Sequence, residues 1–534
     1  MHARRPTTAA PSVRLDLDAL LGGAAPDRLT GLSVAYLLLP TLIFLCGWAA
    51  VWVAVPATAA GIWLLISAPG GLAGWRASPA IGGKTAAACL ALGFAWASLS
   101  GMHHLLHSLA DWQIRDAVLR DLVRYAWPLT YRLPEGEDLL RAPLGYYLPA
   151  ALAGKLGGVA VAQAALWAWT GLGIALVFAL LRSLVPGGGK AFAIAAGVFV
   201  LFGGLQFGAL FAWDALRGID PTGRWGTSIE WWAKLFQYSS HMTLVLWVPN
   251  HVLPAWLATL LLLRHAHNTE FYAGAMTLLS AALFWGPVST AGAAILYAFG
   301  WARLALGADR AAAFRAAVSL RNVVAALVLT IPVTVYILVD TSGIRSGFLF
   351  DLAPVAEAAP HYAAFLLVEV LPWAVLAVLL LRSGFLIAAT AVLCVLPLYI
   401  FGPGNEMTMR GGIAPLTVLA VAAGIVLGLP RPVRGGAAQR TVQAVLAVCV
   451  AISAAGALNE ASPIVTRPAW PLSRNCALPE AARQSVFQST SWRHYLAPWP
   501  APSLEPWLAT PRERLVETKD VGPCWPPDTG VVLP

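Results

Sequence analysis

GLSVAYLLLPTLIFLCGWAA, residues 31–50, carries no charged side chain and is as long as a helix must be to cross a bilayer. A hydrocarbon core of about 30 Å takes roughly 17–25 apolar residues in helical conformation. Twelve further stretches read the same way: 53–69, 85–101, 158–181, 191–212, 243–263, 271–285, 288–302, 322–339, 361–381, 384–401, 412–429 and 441–457. The chain is 58% hydrophobic and only 11% charged, so apolar surface far exceeds what a water-soluble core of 534 residues uses. The expected fold is an all-α polytopic transmembrane bundle of about thirteen spans. Residues 1–457 form the membrane unit, and 458–534 form a polar tail rich in Pro and Trp.

Charge orients the bundle. With the N-terminus inside, the inner connections hold Arg4, Arg5, Arg14, Arg28, Arg76, Lys84, Arg182, Lys190, Arg264, Arg303, Arg310, Arg315, Arg321, Arg382, Arg431, Arg434 and Arg440. Only Asp16, Asp18, Asp27, Glu270 and Asp309 oppose them there. Basic residues in short loops stay cytoplasmic, which predicts an inner (plasma) membrane protein with its N-terminus in the cytoplasm and its C-terminus in the periplasm. The net charge of +9 then reads as anchorage to anionic membrane lipid. No basic run or nucleic-acid motif is present, and residues 1–28 lack the apolar core of a signal peptide. Cys46, Cys89, Cys394 and Cys449 fall inside spans; Cys476 and Cys524 stand in the tail, where an oxidising compartment would let them pair.

The densest polar chemistry lies in the long outer connection 102–157. Residues 112–126, WQIRDAVLRDLVRYA, put Ile114, Val118, Leu122 and Tyr125 on one helical face and Arg115, Asp116, Arg120, Asp121 and Arg124 on the rest. That pattern predicts an amphipathic helix lying flat on the outer leaflet. The following 143–157 segment is apolar but short and Gly-broken, and reads as re-entrant or interfacial. Upstream, positions 103, 107, 111 and 115 would share a stripe if helical. His103 and His107 could then hold a divalent metal with Asp111, or simply meet lipid phosphate and water at a helix end. No other cofactor is demanded. A carboxylate at the mouth of a span suits Asp111 to general-base work; a salt bridge to Arg115 is the plainer reading, and both can hold.

The HSLADW element, His107 to Trp112, followed by a flat amphipathic helix in the first large outer loop, resembles the GT-C glycosyltransferases. Those enzymes move sugar from a polyprenyl-phosphate carrier to an acceptor on the non-cytoplasmic side. Two departures stand out: no second acid follows Asp111 directly, and two spans precede the expected first one. The resemblance covers the architecture of about 85–340 and implies Asp111 as catalytic base, with Asp116 as fallback. A polyprenyl-phosphate-linked sugar and a glycan, lipid or protein acceptor would be the partners.

Other loops hold compatible parts. Residues 213–242 contain Glu230, Trp231 and His241, a set that could stack and hydrogen-bond a sugar, although Trp also gathers at membrane interfaces for structural reasons. GPGNEMTMRG, 402–411, could offer Arg410 to a lipid phosphate or pair it with Glu406. Arg345, Lys155 and Arg115 are further phosphate candidates, His107 a further substrate contact, and Glu369 an ionisable group inside a span. GGKT at 82–85 lacks the first glycine and the α/β setting of a phosphate loop. A lipid-linked glycan ligase or polymerase, or a lipid or polysaccharide transporter, would use the same scaffold with different residues.

Overall fold

The computed structural model describes residues 14–68, 81–341, 343–429, 437–473, 475–486, 490–516 and 522–526. Arg4, Arg5, Arg76, Arg431 and Arg434 lie outside the described residues. The protein is mostly helical. Among the described residues five helices are long and apolar enough to cross a membrane: Arg28–Trp48, Leu148–Leu184, Arg310–Leu338, Glu406–Gly428 and Ala437–Thr466. A sixth candidate is the pair Val355–Glu369 and Leu371–Leu380, bent by 41°. Shorter apolar helices, among them Val51–Ser67, Gly83–Leu99 and Gly189–Val200, fill in around them.

The helix Pro249–His265 is buried along its whole length and forms the axis of the bundle. A helix apolar all round belongs in such a centre. Ile413–Gly428 and Leu148–Leu184 flank it, and Gly83–Leu99 packs along the latter. That last contact is close because Gly93 lies against the Gly171 carbonyl, where a Cβ would come within 2.5 Å of the oxygen. Small residues let helix backbones approach in this way.

Two helices measure the bundle. Pro249–His265 spans roughly 25 Å and Arg28–Trp48 roughly 31 Å at 1.5 Å per residue. At one end Arg264 donates to both Asp27 oxygens (2.8 and 2.7 Å), and Asp18 takes Ser383, Arg303 and the amide of Gly384. At the other end Trp48 and Ala50 bond the backbone of Ala509 and Trp507.

One expectation is revised here and two are made specific. Residues 148–157 are helical and end at Gly158, whose φ of 82°, which only glycine takes without strain, breaks the helix before the chain restarts and runs to Leu184. The helix Trp112–Arg124 forms as expected but does not lie exposed on a surface. From Trp112 to Val123 every residue is buried, with the Leu148–Leu184 arm on one side and the tail on the other. The tail itself is anchored: Cys476 and Cys524 are disulfide-bonded, and Leu496–Pro498 and Arg514–Val516 complete a four-stranded sheet with Gly136–Leu140 and Thr130–Leu133. Its short helix Leu478–Gln484 begins on Asp121, which accepts the Leu478 amide at 2.8 Å.

Candidate functional site

Sequence polarity on the buried helix Trp112–Arg124 divides into two classes. Asp116, Arg120, Asp121 and Gln113 serve the fold. Asp116 accepts from His104 at 2.7 Å and from Gln163 at 3.0 Å. His104 also meets the Trp470 carbonyl at 2.8 Å, so both ring nitrogens face acceptors. Burial alone would lower the His104 pKa, but the Asp116 charge and hydrogen bond and the Trp470 carbonyl leave it raised. Asp121 accepts from Arg120, Tyr131 and Leu478. Burial still pushes its carboxyl up to about 7. Gln113 accepts the Val486 amide.

Arg115 and Asp111 differ. Arg115 reaches Asn250 at 2.8 Å and Tyr147 at 3.3 Å, with its Nε unpartnered. Asp111 sits at the N-cap position, and no other described residue hydrogen-bonds its carboxylate. Burial raises its pKa; Arg115 and Arg410 pull it back without cancelling the rise. Asp111 is closely surrounded yet keeps part of its surface accessible.

The groups around it come from distant parts of the chain. Arg410 is on the Glu406–Gly411 turn, paired with Glu406 at 2.5 Å. His251, one turn into the central helix, lies in electrostatic reach of Arg410 and Arg115, and its Nδ1 has no partner. The tail adds His494 and Tyr495. Burial, then Arg410 and Arg141, hold His494 down to about 4. Burial raises the Tyr495 hydroxyl, which Arg115, Arg410, Asp111 and Glu406 all influence. Arg141 is fixed by its own amide donating to the Tyr495 carbonyl at 2.6 Å and by its guanidinium on the Ile337 and Asp340 carbonyls. Arg115 and Arg410 both act on Asp111, Arg410 also pairs with Glu406, and Arg141 acts on His494 and is itself acted on by Asp340, so charges of both signs gather around Asp111.

The metal stripe does not form. The helix preceding it ends at Leu99, Gly101 takes φ 77° and His104 φ 56°, and the chain turns instead. His103 bonds back to the Ser98 carbonyl at 2.6 Å and His107 meets the Pro468 carbonyl of the tail at 2.8 Å. Among the described residues no group of three His, Cys, Asp or Glu side chains is placed to hold a metal.

The remaining candidates lie elsewhere. Lys155 donates to the Val123 and Tyr125 carbonyls, closing the end of the 112–124 helix. Glu230 is buried and accepts from Ser240, Thr243 and Gln237, which fixes the entry of His241–Trp247. His241 is packed among Phe199, Phe202 and Trp256. Trp231 leans over Gly404 in the turn that carries Arg410. Arg345 is exposed, and only its carbonyl touches that turn, through the Gly402 amide. Tyr147, Arg141, His494 and Tyr495 were not singled out in sequence. Arg141, Tyr147 and the tail pair carry no periodic signal.

No protein-family model, no curated protein and no solved structure matches the chain.

Proposed function

We propose that this protein is a polytopic membrane glycosyltransferase of GT-C type that takes sugar from a polyprenyl-phosphate carrier. It would have about thirteen spans, the N-terminus in the cytoplasm and the C-terminus in the periplasm. The observation that carries the reading is the charge cluster: Asp111, partly accessible and with its carboxylate unbonded by other described residues, in electrostatic reach of Arg115 and Arg410. Supporting the orientation, the N-terminal segment meets Arg264 and Arg303 at one end of the bundle, while the disulfide-bearing tail closes over the other. A disulfide belongs in an oxidising compartment.

Chemically, Asp111 accepts the proton of the acceptor hydroxyl as its oxygen attacks the anomeric carbon. The bond from that carbon to the carrier phosphate breaks with inversion, and the electron pair leaves on phosphate. Guanidinium groups already in place stabilise that charge without reorganising, and this is where most of the acceleration arises. The burial that raises the Asp111 pKa makes it a stronger base than an ordinary aspartate.

The test is sugar transfer from synthetic polyprenyl-phosphate donors by the full-length protein in liposomes. Asp111→Asn should lose about 10²–10⁴-fold in rate while still binding donor; Arg410→Met should weaken donor binding instead. Full activity of Asp111→Asn would refute the assignment. The unpartnered Nδ1 of His251 beside two arginines favours one second reading, a lipid-linked glycan ligase. That enzyme would tolerate Asp111→Asn and fail on His251→Ala.

A further inference from the structure

Away from Asp111, two helices are interrupted beside each other. Gly189–Val200 stops and the chain restarts at Gln206–Leu216; Val355–Glu369 stops and restarts, bent by 41°, at Leu371–Leu380. The breaks lie roughly 18 Å (12 helical residues) from the end at Gly189 and roughly 15 Å (10 residues) from the end at Leu380, which is mid-bundle depth. The Leu205 amide donates to the Val368 carbonyl at 3.4 Å across the crossing.

Each break presents an orphan oxygen. Glu369 is 2% exposed; its Oε1 accepts the Trp232 indole N–H at 2.8 Å, and its Oε2 has no partner. Gln206 is 3% exposed and its Oε1 is unpartnered too. Both oxygens crowd the point where a side chain on Gly204 would begin, so they are neighbours. Two buried acceptors facing each other repel unless something positive lies between them. Among the described residues no cation does so: the charged or titratable groups that act on Glu369 or that it acts on are Glu230 and Tyr238. Glu230 is itself in range of Glu460. Ser453, from the neighbouring helix, is turned to the Leu201 and Gly203 carbonyls.

We infer that the crossing of the two broken helices binds one small monovalent cation, sodium or a proton, between Glu369 Oε2 and Gln206 Oε1. Interrupted helices at mid-membrane depth supply such sites because their polar groups are released from the helical ladder. The inference is independent of the glycosyltransferase reading.

The experiment is thermal unfolding of the full-length protein in detergent, in two arms. One replaces choline chloride by sodium chloride at constant ionic strength; the other varies pH without sodium. A Tm that climbs by a few °C with sodium, and no longer does so in Glu369→Gln, identifies sodium. A sodium-independent Tm that falls as pH rises, and flattens in Glu369→Gln, identifies the proton. Gln is isosteric with Glu, and an unchanged gel-filtration profile reports that the variant is folded. If neither arm moves Tm, the Gln206 amide has turned its NH₂ group to Glu369 and the proposal fails. It fails equally if the shifts survive in Glu369→Gln.

Discussion

Opening the disulfide should loosen the tail and leave the bundle intact. Cys476 and Cys524 are 48 residues apart, and a loop of that length costs the unfolded chain about 4 kcal/mol of closure entropy. Both tail strands lie inside that loop, so its closure acts on the docked tail. In a Cys476→Ser/Cys524→Ser double variant the open population of the tail should rise by as much as nearly a thousandfold, since about 1.4 kcal/mol is a factor of ten. Hydrogen–deuterium exchange reads this directly. Amides around Leu496–Pro498 and Arg514–Val516 should exchange faster, while the buried helix Pro249–His265 keeps its protection. On the glycosyltransferase proposal sugar transfer should fall in parallel, because His494 and Tyr495 leave the surroundings of Asp111 when the tail lifts. Unchanged protection in the tail strands would refute the reasoning. So would an equal loss in the central helix, which would mean that the disulfide holds the bundle.

Three further outcomes follow from buried charge and packing. Arg264→Met strands Asp27, so unfolding should become easier by about 3 kcal/mol. Burial raises the Asp27 pKa but Arg264 and Thr30 more than offset it, so this stability is present above the ordinary carboxylate range and lost as pH falls through the lowered value; in the variant the acid limb of a Tm-against-pH curve should flatten. His104 has the opposite sign. Its raised pKa gives stability fully present below about 6.5 and lost as pH climbs through the folded value, and His104→Gln should remove that alkaline limb. Gly204→Ala drives a methyl into the Glu369 carboxylate and should cost about 1–3 kcal/mol in chemical unfolding. A neutral result there would show that Glu369 yields freely.

Hydropathy made the apolar helices legible, because a bilayer imposes a length that composition alone satisfies. The helix at 112–124 was legible too, but not its surroundings. Alternating apolar and charged faces look the same whether the charged face meets water or the Asn475, Leu478 and Val486 backbone of a folded tail. The His stripe misled because spacing assumes a continuous helix, and the chain leaves helical geometry at Gly101. The tail's sheet was invisible for a different reason: strands of three residues carry no periodicity, and the sheet depends on partners in the 130–140 hairpin. Of its two readings Arg410 shows the pair with Glu406, and it also acts on Asp111.

The sheet also sets an order of events. Thr130 meets the Glu513 backbone, 383 residues later in the chain. At about 5–20 residues per second, the ribosome reaches the second of these positions only some 20–80 s after the first. For that interval Arg120 and Asp121 of the 112–124 helix are without the Asn475 carbonyl and the Leu478 amide that they meet in the folded protein. The Leu148–Leu184 arm can cover one side of the helix soon after it is made, whereas the other side waits for a segment 355 to 357 residues further on.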